Sequence, residues 1–451
     1  MTGRKMLALL LLVLALGLVL GACGGEQATQ APAAEQPKEE VTKAPEQPKE
    51  ESTQEAAEAG KEIVLTIGFT ESQTGKYNVS SSRQVKGLKL WIEQTNANGG
   101  IKLSDGTVVK FKTVSYDDES SKERVQELYT RLITEDNADF LISPYSSGLT
   151  AAAAVISEQY GKIMITTGAA SDSIYKKGYT RVYQIYTPAS RYLTGAVDII
   201  KHVDPNLKKV AFVYEDSKFA TSVVEAAKDY AAKQGLEIVL FEGYAPDTTD
   251  FGPFINKIVD KGAEAVLGGG HFQDGSTFAR QLHEKQVPLK FVALLVAPPE
   301  PDFAELGEAA VGIVGPSQWE PQAKYTPEAA KEMGIEWCGP TNEEFVKAYE
   351  DAYNEEPSYH SAGGYAAGLV LGKAIMMADS VDPDAVKEAL DNMDILTFFG
   401  HIKFDTSEEA HGLQIGHEMV YVQWQKDGDT LKKEVVWPLE GATAEILYPK
   451  P

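Results

Sequence analysis

Four short stretches of small and hydroxyl-bearing residues carry the chemistry legible in this sequence: Thr70-Glu71-Ser72-Gln73-Thr74-Gly75, Pro144-Tyr145-Ser146-Ser147-Gly148, Gly168-Ala169-Ala170-Ser171 and Gly268-Gly269-Gly270-His271. Glycines and hydroxyls of this kind let a ligand approach backbone N–H groups closely, which is the chemistry of binding. Each stretch alone is equally an ordinary loop between a strand and a helix; four in step along one edge argue for a site. Catalysis has no such footing. There is no G-x-S-x-G elbow and no P-loop, and Gly268 to Gly270 lack the spacing of a dinucleotide site. His401, His411 and His417 are too far apart for a helical metal pair, so neither an enzyme, a cofactor nor a metal is expected.

The elements that must position these loops follow from the apolar pattern. Short β-branched runs recur at Ile63 to Phe69, Val108 to Tyr116, Phe140 to Ser143, Ile163 to Thr167, Lys209 to Tyr214, Glu237 to Phe241, Ala265 to Gly269 and Phe291 to Val296. Between them lie stretches of helical period: Gln84 to Ala97, Lys122 to Asp136, Leu149 to Tyr160, Tyr192 to Val203, Ser222 to Gln234, Phe254 to Lys261 and Ser276 to Lys285. Strand and helix in alternation predict an α/β fold of mainly parallel sheets covered on both faces, with ligands beyond the carboxyl ends of the strands. All four polar loops follow such ends. The chain from Lys61 onward is too long for one ordinary core and suits two lobes. A formal charge of −24 excludes nucleic acid and anionic membrane surfaces as partners, because both need a basic footprint.

The first sixty residues are of another material. Arg4 and Lys5, the apolar run Met6 to Leu20 and then Leu20-Gly21-Ala22-Cys23 have the order of an export signal, expected over residues 1–22. The small residues before Cys23 resemble a lipobox, which implies cleavage there and acylation of the Cys23 thiol, an anchor to the outer face of the cytoplasmic membrane. Residues 23–60 hold no aromatic residue and only Val41 as a branched aliphatic, so they read as a disordered tether. Cys338 has no second thiol in the folded part to pair with and is expected to be buried and inert.

Thr74-Gly75-Lys76-Tyr77 with Gly87 and Thr95-Asn96-Ala97-Asn98-Gly99-Gly100-Ile101, then Ser146-Ser147-Gly148, Gly168-Ala169-Ala170-Ser171, Tyr359 to Gly372 (YHSAGGYAAGLVLG) and Gly400-His401-Ile402-Lys403-Phe404-Asp405 occur in the order found in one family. From about Ile63 to Trp424 the chain resembles the type I periplasmic binding proteins of the branched-chain amino acid and amide ABC importers, the Leu/Ile/Val-binding group. The resemblance implies a two-lobed fold with three hinge crossovers, expected near Tyr186-Thr187, Gly315-Pro316-Ser317 and Phe399-Gly400, where apolar runs give way to Pro, Gly or Ser. Lobe 1 would then be residues 61–186 plus 317–399, and lobe 2 residues 187–316 plus 400–451. It also implies delivery of a small-molecule ligand to ABC permease subunits. A ligand-sensing subunit that signals to a membrane receptor is the alternative, with a lipid-anchored hydrolase behind it.

By the same resemblance, Ser147 and Ser171, with Ser146 beside them, hold a ligand carboxylate, and the Ala169 carbonyl faces a ligand ammonium. Phe219 and His271 stand at cleft aromatic positions. The N-terminus of the helix near Leu149 favours an anion at that place, and Tyr77 and Trp319 offer further aromatic surface. The acid that the group sets after the strand Phe291 to Val296 is replaced by Leu295-Val296-Ala297-Pro298-Pro299, with Glu300 late in the sequence. Asp274, or Glu320 beside the hinge, is the remaining counter-ion for an ammonium, although Asp274 equally suits the start of a helix. The expected ligand is an amino acid or a related apolar carboxylate or amide.

Overall fold

The computed structural model describes residues 61–451; the expected signal segment, Cys23 and the tether lie outside them. In lobe 1, β1 (Glu62–Glu71), α1 (Asn78–Ala97), β2 (Ile101–Lys102), β3 (Val108–Asp117), α2 (Lys122–Thr134), β4 (Phe140–Ile142), α3 (Ser147–Gln159), β5 (Met164–Thr166) and β6 (Val182–Gln184) build a sheet of order β2-β3-β1-β4-β5-β6. Every pair in it is parallel except β2 with β3. The helices form for ordinary reasons. In α2, Ser121 caps the Arg124 N–H, and Val125, Leu128, Tyr129 and Leu132 bury one face.

The chain then enters lobe 2 with α4 (Thr194–Val203), β7 (Lys209–Glu215), α5 (Lys218–Lys233), β8 (Glu237–Tyr244), α6 (Gly252–Asp260), β9 (Ala265–Gly269), α7 (Phe272–Glu284), β10 (Phe291–Leu294) and β11 (Ile313–Ser317). It returns to lobe 1 for α8 (Pro327–Met333), β12 (Glu336–Trp337), α9 (Asn342–Tyr353), α10 (Tyr359–Ala378), α11 (Pro383–Asp391), β13 (Asp394–Thr397) and β14 (Gly400–Lys403). The hairpin β15 (Val420–Asp427) and β16 (Thr430–Trp437) completes the lobe 2 sheet, of order β16-β15-β11-β10-β9-β7-β8. Among the described residues no helix is long and apolar enough to cross a membrane. Cys338 is buried, and burial pushes its thiol up to about 11.

Lobe 1 is held by backbone contact between α1 and α10. A Cβ on Gly87 would lie 1.9 Å from the Ser361 carbonyl oxygen, and one on Gly364 1.9 Å from that of Gln84. Gly368 leaves room for the Trp91 ring on the same seam. Gly364→Val is therefore expected to cost at least about 1–3 kcal/mol, the range for overpacking, because here the obstacle is backbone and cannot rotate away. Urea unfolding checks this; an unchanged midpoint would contradict the close approach.

The third crossover is not at Phe399-Gly400. Strand β14 pairs antiparallel with β13, and Ile402 and Phe404 pack into the lobe 1 core, so the chain changes lobe only after His417. Side chains tie the three connections together. The Thr187 N–H donates to Gln318 Oε1 at 2.8 Å, and the Thr187 hydroxyl lies 2.7 Å from His417 Nδ1. His417 Nε2 is 2.8 Å from the Phe399 carbonyl, which fixes the proton on Nε2 and leaves Nδ1 to accept from Thr187. Burial drives the His417 pKa down to about 4, so the hinge imidazole is neutral.

Candidate functional site

Helices α2, α3, α5 and α7 all begin at the cleft between the lobes, each directly after a strand end or the loop that follows it. Their unsatisfied first-turn N–H groups give that space a positive character. The inner end of the cleft is a cavity of about 10 Å3, room for a single water, walled by Tyr145, Tyr186, Tyr192, Phe219, Tyr359 and His360 among others. Burial raises the phenols of Tyr145, Tyr186 and Tyr359 far above their ordinary range, so they face the cavity as neutral hydroxyls. Val296 also lines it at φ 54°, a left-handed conformation that costs a β-branched residue about 1–3 kcal/mol and is found where function demands it.

The expected site residues divide. Ser146, Phe219 and His271 line the inner cavity, and Tyr77 lines the outer cleft that joins it. Ser146 precedes α3 without capping it, which leaves its hydroxyl to other partners. Ser147 and Ser171 stand one layer behind, where the Ser147 hydroxyl accepts from the Ser171 N–H at 3.1 Å and so braces the two loops. The Ala169 carbonyl is turned away from the cleft and accepts from the Tyr175 hydroxyl at 3.0 Å and from Gln184 Nε2 at 3.3 Å; Gly168 and Ala170 line the cavity in its place.

Asp274, Trp319 and Glu320 also line neither cavity. Asp274 closes the first turn of α7, accepting from the His271 N–H at 2.8 Å on one oxygen and from the Tyr244 hydroxyl on the other, and it lies behind the cleft wall. Burial and the neighbouring Glu215 raise its pKa. Trp319 is a core residue of lobe 1, its Nε1 donating to Asn342 Oδ1 at 2.7 Å and its ring packed on Phe345 and Phe398. Glu320 is buried against Lys433 at 2.9 Å.

The residues missed from sequence are the acids that bridge the lobes. Glu215 of lobe 2 lies 2.9 Å from Lys76 of lobe 1 and 2.6 Å from His271 Nδ1. Burial alone would raise its pKa, but His271 and Lys76 outweigh that and bring it down to about 2. Glu300 of lobe 2, wholly buried, contacts His360 Nδ1 and lies 3.4 Å from Arg83 Nε, both of lobe 1. Again burial is opposed, and His360 and Arg83 hold the carboxyl below its ordinary range. Glu215, His271 and Asp274 also lie close enough to hold a metal ion. Each Asp274 oxygen already accepts a hydrogen bond and Lys76 sits against Glu215, so the three side chains stand together as part of an ion-pair and hydrogen-bond network.

Residues 64–429 match the family model described as periplasmic binding protein. Among curated proteins, Leu/Ile/Val-binding protein homolog 7 of Brucella suis biovar 1 is 28% identical over 399 residues, 84% of this chain and 92% of that protein. Among solved structures, the Streptococcus pneumoniae branched-chain amino acid transporter substrate binding protein LivJ, in complex with isoleucine, superposes with a TM-score of 0.68 at 21% identity over 83% of this chain and 100% of its own. A solute binding protein of an R. palustris ABC transporter, in complex with 4-hydroxybenzoate, gives 0.70 at 19% identity over 86% and 98%. With two α/β lobes, three ties between them and a cleft at the strand ends, the chain belongs to the periplasmic binding protein family, in the type I architecture of the Leu/Ile/Val-binding group.

Proposed function

We propose that this protein is the solute-binding component of an ABC importer, anchored through an acylated Cys23, and that its ligand is an apolar or aromatic carboxylic acid without an ammonium group. One observation carries the choice of ligand: the two buried acids that bridge the lobes are already partnered, Glu215 by Lys76 and His271, Glu300 by Arg83 and His360. A ligand ammonium entering there finds no unpaired carboxylate, and an unpaired buried charge costs several kcal/mol. A carboxylate instead finds the α3 N-terminus and the Ser146 hydroxyl where the inner cavity meets the outer cleft, with room for its apolar body in the outer cleft between Tyr77 and Phe219. The 4-hydroxybenzoate carried by the R. palustris protein is of this class.

Calorimetric titration with benzoate, 4-hydroxybenzoate, 4-methylpentanoate, leucine and phenylalanine tests the reading. The acids are expected to bind, leucine more weakly than its deaminated counterpart 4-methylpentanoate, and phenylalanine more weakly than the aromatic acids. Ser146→Ala is expected to weaken every bound acid by about 1.5–3 kcal/mol, the weight of a hydrogen bond to a charged group. Leucine binding more tightly than 4-methylpentanoate would overturn the assignment. The anchor has its own test: Cys23→Ser is expected to release the protein from the membrane fraction or leave it unprocessed, and a variant still cut and still sedimenting with membranes would refute acylation.

A further inference from the structure

The outer cleft is a cavity of about 310 Å3 that adjoins the inner one through Ser146 and His271. We propose that it is a second anion subsite, so that the ligand is a dianion: one carboxylate at Ser146, an apolar spacer between Tyr77 and Phe219, and a second anionic group between Lys122 of lobe 1 and Lys218 of lobe 2. This rests on the reading that the inner end takes a carboxylate.

Placement of the lysines is the first argument. Lys122 and Lys218 are the first residues of α2 and α5, directly after the capping serines Ser121 and Ser217. At a helix N-terminus the dipole opposes a cation and favours an acid. In a chain with 66 acidic residues against 42 basic ones, two cleft helices nevertheless open with lysine. Helix stability does not account for that choice; Lys218 Nζ donates to Ser173 Oγ of lobe 1 at 3.2 Å, which holds it at the cleft where an anion would meet it. Glu123 and Asp216 also line this cavity, but Glu123 is turned to the Ser121 hydroxyl at 3.1 Å, and four helix N-termini add to the lysine side.

His271 supplies an independent observation. It is only 3% exposed and lines both cavities, yet its Nε2 has no hydrogen-bond partner while Nδ1 faces Glu215. A buried polar atom left unpaired at the junction of two cavities costs free energy that a ligand atom placed there would recover. Electrostatics across the cleft agrees. Partial burial, then Lys177 and Lys122 of the opposite lobe, lower the Lys218 pKa, so closing the lobes brings like charges together. A bridging anion relieves that repulsion only in the closed form, which makes the second charge of the ligand a contributor to closure.

The test is calorimetry with two matched pairs, 4-methylbenzoate against terephthalate and hexanoate against adipate, on the wild type and on a Lys122→Gln/Lys218→Gln double variant. In the wild type at least one dicarboxylate is expected to bind about ten-fold or more tightly than its partner, with the preference shrinking at high salt. In the double variant that preference is expected to vanish while monocarboxylate affinity is unchanged; both lysines are exposed, so folding is not at stake. Monocarboxylates that bind as well as dicarboxylates, or a preference that survives in the double variant, would overturn the subsite and leave the inner site standing. Absence of binding by all four acids would overturn the inner-site reading and the subsite with it.

Discussion

Glu300→Ala is expected to disfavour the closed form by about 3–5 kcal/mol, the cost of removing one partner from a buried charge cluster. Arg83 and His360 would lose the buried carboxylate they share, leaving Arg83 with the half-exposed Asp302 at 3.0 Å, and they lie across the cleft from it, on α1 and at the start of α10. Because the partners sit on opposite lobes, the variant escapes much of the penalty by opening and letting water reach Arg83 and His360. The loss therefore appears in closure and only secondarily in folding. A ligand that needs the closed form pays the same penalty, so its affinity is expected to fall by about two orders of magnitude or more. Small-angle scattering with saturating ligand is expected to show a larger radius of gyration than the wild type. A triple replacement, Arg83→Met, Glu300→Leu and His360→Leu, is expected to recover most of the closure, because apolar residues of similar volume often replace a buried ion cluster without loss. An Ala variant that closes and binds like the wild type would refute the bridge.

His417 sets the second large effect. Its pKa is about 4 in the folded protein against an ordinary 6.5, chiefly through burial, so above pH 6.5 both states are neutral at this ring and its contribution is complete. As pH falls below 6.5 the unfolded chain takes up a proton that the folded one refuses, and stability drops until the folded ring also protonates near pH 4. The loss is about 2 kcal/mol by pH 5 and about 3 kcal/mol in all. Glu300 has the opposite sign of charge and another window. Its depressed pKa gives stability that is present above the ordinary carboxylate range and fades only below it. Urea unfolding between pH 7 and 5 therefore avoids the window of Glu300, and His417→Gln is expected to flatten that slope. The same slope in the variant would place the titration elsewhere.

Alternation of β-branched runs with amphipathic stretches made the strand–helix rhythm of both lobes legible, because burial on both faces of a parallel sheet leaves a continuous apolar signature. Helix starts were harder. Periodicity places the first helix at Gln84, whereas α1 begins at Asn78, because Ser80, Ser81 and Arg83 are buried polar residues in its opening turns. Polar first turns that face a cleft look like loop. Strand β14 was misplaced for another reason: four residues carry no mark of which sheet they join. Trp319 reads as cleft surface because it follows a crossover, whereas its packing on Phe345 and Phe398 and its bond to Asn342 put it in the core. Glu300 reads as too late for the cleft because two prolines separate it from its strand, and its partner His360 lies 60 residues on. Pairing over that distance leaves no local trace.

The order of the strands also governs how the chain is assembled as it emerges N-terminus first. Lobe 1 begins with β1 to β6, is left unfinished while β7 to β11 appear, and receives β12 to β14 only afterwards. Lobe 2 waits longest. Until the β15–β16 hairpin arrives, β11 is an open edge with unpaired N–H and C=O groups, and its apolar faces lack part of their cover. An open edge is a template for pairing with another chain, and it persists for as long as synthesis or export of the remaining residues takes. The interleaving that lets two lobes share three hinges thus gives the nascent protein a prolonged interval of aggregation risk, which ends only with its last strands.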